Sequence, residues 1–220
     1  MKHRLNLPKL TDIILAALGV AFCGFGVGLS NGSALGFDPI GVFYDGLRAT
    51  FNISPSFLGM VSIGINALLI IFLLFVSRKY VSFGTIIYLA GYGLFVDLGT
   101  LVYNLTIHEP SLVLRIILTT IGCLMLYIGL GIYVAIDIGV DPFTGVVLWL
   151  SDLTHKKLKI VKMVFDICIF IIGALLHGTL GIVTIVCAFV GGPLIQMVSE
   201  NVMKLYFRFS IKDIKKGTHH

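Results

Sequence analysis

Long apolar runs separated by short polar breaks dominate the chain. Six runs approach or exceed the roughly 20 residues that an α-helix needs to cross a bilayer. They cover residues 11–30, 56–77, 82–104, 111–135, 160–177 and 181–203. Glycine, asparagine, proline or paired basic residues mark the breaks between the runs. The pattern therefore predicts an all-α integral membrane protein with six transmembrane helices.

Two shorter stretches, 39–51 and 142–154, begin after aspartate and proline, at Asp38-Pro39 and Asp141-Pro142. An aspartate at the N-cap followed by proline at the first helical position is a typical helix start. Apolar residues then recur at helical spacing in both stretches. About 12 residues of helix measure roughly 18 Å, which cannot cross a hydrocarbon core of about 30 Å. We therefore expect two short re-entrant or interfacial helices.

The distribution of basic residues favours six crossings. With the N-terminus inside and six crossings, Arg48 and Arg115 are the only lysines or arginines that fall on the outer side. Cytoplasmic loops of membrane proteins are enriched in lysine and arginine. If the short helices were crossings, Arg78 and Lys79 would lie outside as well. We therefore predict that both termini are cytoplasmic.

Composition agrees with a membrane protein and excludes other classes. Of 220 residues, 57% are hydrophobic and 12% are charged, against about a quarter charged in soluble domains. These fractions exclude a soluble globular enzyme, a disordered chain and a disulfide scaffold. The net charge of +5 is explained by topology signals facing an anionic inner leaflet, so no nucleic-acid partner is expected. The cysteines lack metal or redox spacing, and no cofactor or metal is expected.

The two halves of the chain resemble each other. Gly36-Phe37-Asp38-Pro39 aligns with Gly139-Val140-Asp141-Pro142, and further matched positions follow in the same order: Gly26 with Gly129, Gly28 with Gly131, Asn66 with Asp166, and Asp97 with Gln196. Three crossings per half give the halves opposite orientations. We predict an inverted 3+3 repeat, with a first repeat over 1–104, a second over 105–205 and a basic cytoplasmic tail over 206–220. Such repeats are common in secondary transporters, although duplication can also serve only to build a stable bundle.

Four polar residues within predicted spans are candidate binding groups. An ionised aspartate there costs about 2.5–3.5 kcal/mol on insertion scales, so Asp97 and Asp166 should face a cavity or a partner. Their repeat counterparts are Gln196 and Asn66, respectively. We expect all four to face the bundle interior around a pseudo-twofold axis. Hydrogen bonding between helices is the alternative role.

The two short helices bring further candidates. Asp38 and Asp141 are expected to cap helices whose N-terminal N–H groups point into the bundle. With a capping carboxylate, the local field suits a cation or a zwitterion better than an anion. Asn31, Ser33 and Tyr133 lie near the ends of the first and fourth spans and are candidates for lining a cavity.

One letter pattern suggests a hydrolase. Gly28-Leu29-Ser30-Asn31-Gly32 matches G-x-S-x-G, but it lies at a membrane-helix end rather than at a strand–helix elbow. An intramembrane serine hydrolase would pair Ser30 with a histidine, for which His177 is the candidate near a span. We keep this as a minor alternative and expect that the protein is not an enzyme.

The second half carries a series of glycine-rich and aspartate-containing segments. In chain order they are Gly129-Leu130-Gly131-Ile132, Gly139-Val140-Asp141-Pro142-Phe143, Asp166, Gly173, Gly181-Ile182-Val183-Thr184 and Gly191-Gly192-Pro193. This series resembles the YczE/YyaS/YitT-type family of bacterial integral membrane proteins, and the first half carries it more loosely. The soluble C-terminal domain of the YitT branch has no counterpart, so the likeness is closer to the YczE branch. The resemblance implies a bacterial cytoplasmic membrane location and supplies no substrate.

The sequence thus predicts a secondary transporter, or a membrane-embedded binding subunit, for a small polar or zwitterionic solute. Its partners would be that solute, the lipid bilayer, and a second copy or another membrane protein. The alternative is an accessory or scaffold protein for envelope or secondary-metabolite machinery. No nucleotide-binding motif is present, which excludes a self-contained ATP-driven pump.

Overall fold

The computed structural model describes residues 8–217, apart from the side chains of residues 182, 188 and 207–217. Within this range the chain is helical and forms no strand. The helices in chain order are α1 (Leu10–Ser33), α2 (Pro39–Thr50), α3 (Leu58–Val76), α4 (Phe83–Thr106), α5 (Leu112–Ile136), α6 (Pro142–Thr154), α7 (Leu158–Leu175) and α8 (Ile182–Gly217). Two 3₁₀ turns, Pro55–Phe57 and Arg78–Tyr80, precede α3 and α4. The all-α prediction is confirmed.

Within the described residues, four helices are long and apolar enough to cross a membrane. They are α1, α3 with its preceding turn, α4 and α5. The helix α7 has only 18 residues and carries Lys159, Lys162 and Asp166. The crossings of α7 and α8, and hence the six-span count, stay predictions.

The C-terminal boundary differs from the expectation. The helix α8 continues to Gly217, beyond the predicted end at residue 203, and most of the predicted tail over 206–220 is therefore helical. At about 1.5 Å per residue, its 36 residues measure roughly 54 Å, which exceeds a hydrocarbon core. Residues 1–7, with the first two basic residues, and 218–220 lie outside the described range.

The short helices begin as their sequences predict. Proline occupies the first turn of both α2 and α6, and Asp141 accepts a hydrogen bond of 3.0 Å from the Thr144 N–H. Asp38, which was also expected to cap its helix, makes no side-chain capping bond among the described residues, so that part of the prediction departs from the structure. The preceding long helices end alike, because Ala34 and Asp137 both adopt the left-handed conformation with φ of 53°. Thus α1 turns into α2 as α5 turns into α6.

The helix α1 is the centre of the bundle and packs along α4 and α5. Glycines permit the close approach of α1 and α5. A Cβ on Gly19 would stand 2.8 Å from the carbonyl oxygen of Gly129, and a Cβ on Gly122 would stand 2.5 Å from that of Gly26. The short helices pack across the halves, α2 on α7 and α6 on α3. The core therefore lies where the two halves meet.

Candidate functional site

Five buried aromatic side chains meet between the halves, and we call them the aromatic cage. Tyr44 comes from α2, Tyr88 and Tyr92 from α4, Tyr133 from α5 and Phe143 from α6. None of them is more than 7% exposed. Tyr88 and Tyr92 share a helix face because they are four residues apart. The first half thus supplies three rings and the second half two.

The rings of the cage are packed in favourable geometries. Tyr88 and Tyr92 stack with centroids 4.8 Å apart, and Tyr133 lies 5.7 Å from Tyr88. Tyr44 lies 6.2 Å from Tyr92 and 5.7 Å from Phe143, which it meets edge to face. Separations of about 4.5–7 Å with stacked or edge-on rings are the preferred ones for aromatic pairs. The cage is therefore closed in this conformation.

Two polar atoms in and beside the cage have no hydrogen-bond partner among the described residues. Asn66 on α3 is 1% exposed, and its Nδ2 donates to the Tyr44 hydroxyl at 2.9 Å. Its Oδ1 and the hydroxyl of Tyr133 are unpartnered. A buried unsatisfied polar group costs about 1–3 kcal/mol. Both atoms are therefore available to a ligand at little cost in internal bonds.

Two carboxylates lie near the cage. Asp38 and Asp141, at the starts of α2 and α6, both lie within electrostatic range of Tyr44 and Tyr92. Asp166 on α7 accepts two hydrogen bonds from Lys162, of 2.7 and 2.9 Å, and both residues lie within electrostatic range of Asp38. Because Asp166 and Lys162 form an ion pair, their charges offset each other, and the carboxylates of Asp38 and Asp141 remain as the charges that favour a positive ligand.

The remaining in-span candidates have other roles. Asp97 on α4 accepts a hydrogen bond of 2.6 Å from the Gly59 N–H and so caps the first turn of α3. Gln196 is exposed and donates to Glu200 at 2.9 Å on its own helix. The prediction that Gln196 faces the interior is therefore wrong. Burial follows the face of α8 that packs on α5, and Gln196 lies off that face.

Asn31 and Ser33 join helices rather than lining a cavity. Asn31 Nδ2 donates to the Pro55 carbonyl at 2.8 Å and to the Thr100 hydroxyl at 3.0 Å. Ser33 donates to its own helix and accepts from the Thr119 hydroxyl. These bonds fasten the C-terminal end of α1 to its neighbours. Of the three candidates for a cavity lining, Tyr133 is the one that belongs to the cage.

The hydrolase pattern does not assemble. The Ser30 hydroxyl is buried and donates to the Gly26 carbonyl at 3.1 Å on the same helix. His177 is exposed in the connection after α7 and has a left-handed φ of 65°. No bond between the two side chains is present in the described part of the chain, so a serine–histidine pair is not formed.

Two groups of side-chain contacts join the halves and could not be predicted from the sequence. We call them latches. In the first, called the outer latch because the predicted topology places it on the outer side, Asp45 on α2 accepts hydrogen bonds of 2.7 Å from both the backbone N–H and the hydroxyl of Thr179, in the connection before α8. Arg48 pairs with the same carboxylate at 2.7 Å. This aspartate is 1% exposed, so its charge is balanced where water cannot reach it.

The inner latch stands at the other end of the predicted bundle. Asp152 on α6 accepts hydrogen bonds from Lys79 and Tyr80, in the turn before α4. Lys79 and Asp152 are both exposed. In each half, therefore, the short helix carries an aspartate that holds the turn before the last helix of the other half. The partners are 134 and 72 residues apart, too far for spacing to reveal them.

One sequence signal could have indicated the cage. Tyrosines in membrane helices concentrate at the two interfaces, whereas Tyr88, Tyr92 and Tyr133 lie within predicted apolar runs. A tyrosine at depth needs a hydrogen-bond partner or a cavity. These rings come together with Tyr44 only through the packing of α2, α4 and α5.

Comparison with known proteins gives a family and distant relatives. The model of the family of unknown function DUF6198 matches residues 10–200. The uncharacterized membrane protein YczE of Bacillus subtilis is 25% identical over 180 residues, which are 81% of this chain and 80% of the relative. An uncharacterized protein of Haemophilus influenzae is 25% identical over 201 residues, 90% of this chain and 86% of its own.

The uncharacterized protein YyaS of Bacillus subtilis is 24% identical over 182 residues, which are 82% of this chain and 88% of the relative. No solved structure matches the chain. The resemblance deduced from the paired G-x-D-P segments is thus confirmed. Since the family model covers most of the sequence and its relatives include a named membrane protein, the chain belongs to the DUF6198 family of membrane proteins.

Proposed function

We propose that the chain is a secondary transporter, or the membrane-embedded binding subunit of one, for a small polar or zwitterionic solute. In this proposal it has six crossings in an inverted 3+3 repeat, with both termini in the cytoplasm of a bacterial cell. The solute binds between the halves. Binding sites of inverted-repeat transporters lie at the repeat interface near the bilayer midplane.

The contact between α1 and α5 supports a twofold relation of the halves. In the sequence alignment Gly19 corresponds to Gly122, and Gly26 to Gly129. The Gly19 contact is with Gly129, and the Gly122 contact is with Gly26. Each pair is thus the counterpart of the other. Such self-complementary exchange is what a twofold axis between two similar elements produces.

The outer helices repeat the same relation. A Cβ on Gly28 would stand 2.8 Å from the Cα of Gly99 on α4, and a Cβ on Gly131 would stand 2.6 Å from the Cβ of Val198 on α8. Gly28 corresponds to Gly131, and Gly99 to Val198. The α1–α4 and α5–α8 contacts are therefore counterparts, as the inverted repeat requires.

The first turns of α4 and α8 make equivalent hydrogen bonds, which also supports the repeat. The Ser82 N–H donates to the Thr85 hydroxyl at 3.2 Å, and the Gly181 N–H donates to the Thr184 hydroxyl at 3.3 Å. A Cβ on Gly36 would stand 2.7 Å from the Thr184 hydroxyl oxygen. Its counterpart Gly139 packs on Ser82. Each glycine before a short helix thus contacts the start of the last helix of the opposite half.

The observation that carries the proposal is the position of the aromatic cage relative to the latches. The cage is buried where α2, α4, α5 and α6 meet, and one latch holds each end of the predicted bundle. Releasing one latch while the other stays closed would free α2 or α6 from the opposite half. Alternating access needs this arrangement, in which a central site has one barrier toward each side.

Uptake into proteoliposomes tests the transport proposal. We expect the purified full chain to accumulate a member of a mixed polar metabolite pool, measured by mass spectrometry of the vesicle lumen. Asn66→Ala should reduce this uptake at least tenfold, because it removes the bond to Tyr44. Gly64→Ala is the matched control, since it lies on the same helix where an added Cβ meets nothing within 4 Å. Equal uptake by both variants would contradict the assignment.

Cysteine labelling tests the topology separately. With the native cysteines replaced, Arg78→Cys and Lys156→Cys should react from the cytoplasmic face, and Glu109→Cys should react from the outer face. Labelling of positions 78 and 156 from opposite faces would refute the six-span inverted repeat. The transport proposal would then lose its structural basis.

A second candidate, an accessory membrane protein, is favoured by one observation. The close α3–α4 contact has no comparable α7–α8 counterpart among the described residues. A mostly apolar pocket of about 350 Å³ opens there, lined by Phe170, Leu180, Gly181, Thr184 and Ile185. A helix of a partner protein would fit such a surface. Stoichiometric co-purification with one membrane protein, lost in Thr184→Trp, would support this role over transport.

A further inference from the structure

We propose that the aromatic cage binds an organic cation, namely a small alkylated ammonium ion. This inference rests on the proposed binding function and names the class of its solute. The cage combines four tyrosines and one phenylalanine with an unpartnered amide oxygen, and the carboxylates of Asp38 and Asp141 lie within electrostatic range of its rings. Each of these features selects for the same ligand chemistry.

The rings supply the first part of the recognition. A cation over the face of an aromatic ring, within about 6 Å of its centre, is attracted by the ring quadrupole, and quaternary ammonium ions are the ligands that aromatic cages recognise. Tyr92 is the middle ring of a continuous series of three. Its centroid lies 6.2 Å from that of Tyr44 and 4.8 Å from that of Tyr88. If the stacked pair separates, these faces surround a group of the size of a methylated ammonium.

The unpartnered atoms supply the second part. Asn66 Oδ1 is a hydrogen-bond acceptor that no described group satisfies, and it sits beside the Tyr44 hydroxyl. An alkylammonium ion presents either an N–H donor or polarised C–H groups to such an oxygen. An anion would present another acceptor and leave the Asn66 oxygen unsatisfied. The ligand must therefore be a donor on the side that meets α3.

Electrostatics supply the third part. The start of a helix carries roughly half a positive charge, which would repel a cation. At α2 and α6, however, Asp38 and Asp141 stand at that position, and a full carboxylate charge outweighs half a unit of opposite sign. Asp166 and Lys162 form an ion pair beside Asp38 and add no net charge. The balance near the cage is negative.

An inorganic cation fits the cage less well. Hard metal ions require six or more oxygen ligands at close range. The cage offers rings, hydroxyls and a single free amide oxygen, and no cluster of three or more metal-binding side chains occurs in the described residues. An organic cation needs no such shell because its charge is spread over its alkyl groups.

Isothermal titration of the full chain in detergent tests this proposal, with tetramethylammonium, choline and the uncharged choline isostere 3,3-dimethyl-1-butanol as probes. We expect choline to bind at least tenfold more tightly than the isostere, because only choline carries the charge. Equal affinity of the two would overturn the proposal. So would the absence of binding for both tetramethylammonium and choline.

Choline binding by variants of the cage is a second test of the proposal. Tyr92→Leu removes one ring face and should weaken choline binding on the order of tenfold, whereas Tyr92→Phe retains the face and should stay within threefold. Phe72→Leu is the matched control, because Phe72 meets Trp149 at 5.2 Å outside the cage. A loss in Phe72→Leu as large as in Tyr92→Leu would place binding elsewhere and overturn the proposal. Gel filtration of each variant checks folding.

Uptake separates this inference from the proposed function. If choline binds with the expected selectivity but is not accumulated in proteoliposomes, the transport proposal fails and the cation site stands. If a neutral or anionic solute is accumulated and excess choline does not compete, transport stands and the cation site is refuted. Accumulation of choline itself, lost in Tyr92→Leu, supports both.

Discussion

The aspartates of the two latches occupy similar structural positions, but one is buried and the other is exposed to solvent. Asp45 in the outer latch is 1% exposed and holds Thr179 while Arg48 balances its charge. The side chain of Asp152 in the inner latch is 58% exposed. A buried pair is shielded from salt, whereas an exposed pair is screened within a Debye length of about 10 Å at 0.1 M salt. We therefore expect the stabilising effect of the inner latch to change with pH and salt, and that of the outer latch to stay constant.

The inner latch gives a pH prediction. The hydrogen bond from Lys79, and next that from Tyr80, hold the pKa of Asp152 below its ordinary value. A lowered pKa in the folded state stabilises the fold above the unfolded value of about 3.9, and this stability is lost as the pH falls through the folded value. Thermal unfolding of the full chain in detergent, scanned from pH 7 to pH 2, should show this loss below about pH 4.

The comparison variant is Asp152→Asn, which cannot titrate. Its melting temperature should fall less steeply with acid than that of the native chain, and 1 M NaCl should reduce the difference between the two proteins near neutral pH. Parallel pH profiles for both proteins would contradict a stabilising role of the latch. Lys79 has a raised pKa through the same bond, so its contribution should be lost only at strongly alkaline pH.

At the scale of helices, close approach of α1 and α5 depends on glycine. Apolar burial gives little preference for helix contact in lipid, so small residues that allow backbone contact provide it. A Cβ on Gly26 would stand 2.8 Å from both the Leu126 nitrogen and the Met125 Cβ. Neither neighbour can move without displacing the α5 backbone. The sequence showed a glycine series here, but not which helix it faces.

Alanine at these glycines should therefore have position-dependent effects. Gly26→Ala forces α1 and α5 apart and should destabilise the fold by about 1–3 kcal/mol, as overpacking does. Gly64→Ala on α3 meets nothing within 4 Å and should be neutral or stabilising by up to about 1 kcal/mol, because alanine favours the helix. Denaturant unfolding of both variants in the same detergent checks the contrast. Equal effects would contradict the α1–α5 contact.

Contacts at helix ends also explain the two basic residues that depart from the expected cytoplasmic location. Arg48 and Arg115 are the two basic residues predicted on the outer side. Arg115 on α5 donates to the Ser33 carbonyl at 2.7 Å and so binds the end of α1. Arg48 binds Asp45 and the Ile53 carbonyl. Both side chains are used to fix helix ends, where backbone carbonyls lack partners.

For the whole molecule, the arrangement of α5 against α8 can be tested by cross-linking. The sulfur atoms of Cys123 and Cys187 lie 3.5 Å apart, in non-bonded contact, so that a small side-chain movement would bring them to the bond length of about 2.05 Å of a disulfide. Copper phenanthroline should therefore join them, as peptide mass spectrometry under non-reducing conditions would detect. Cys168 on α7 is exposed and should form no link within the chain. Absence of the link would contradict the α5–α8 contact.

The sequence determined the helices, their order and their class. In lipid each backbone group must be bonded within its own helix, so apolar length and turn residues suffice to predict helix positions, and α1 to α7 end close to the predicted limits. The short helices were predictable for the same reason, because the Asp-Pro start and the length of each stretch are local properties.

Tertiary structure decided which polar groups meet. Asn66 bonds Tyr44 across 22 residues, and Asp45 bonds Thr179 across 134. Asp97 caps α3 and Gln196 faces outward, although both occupy equivalent places in the repeat. Position along a helix fixes the face of a side chain, but only the packing of the neighbouring helices determines whether that face meets a partner, the aromatic cage or lipid.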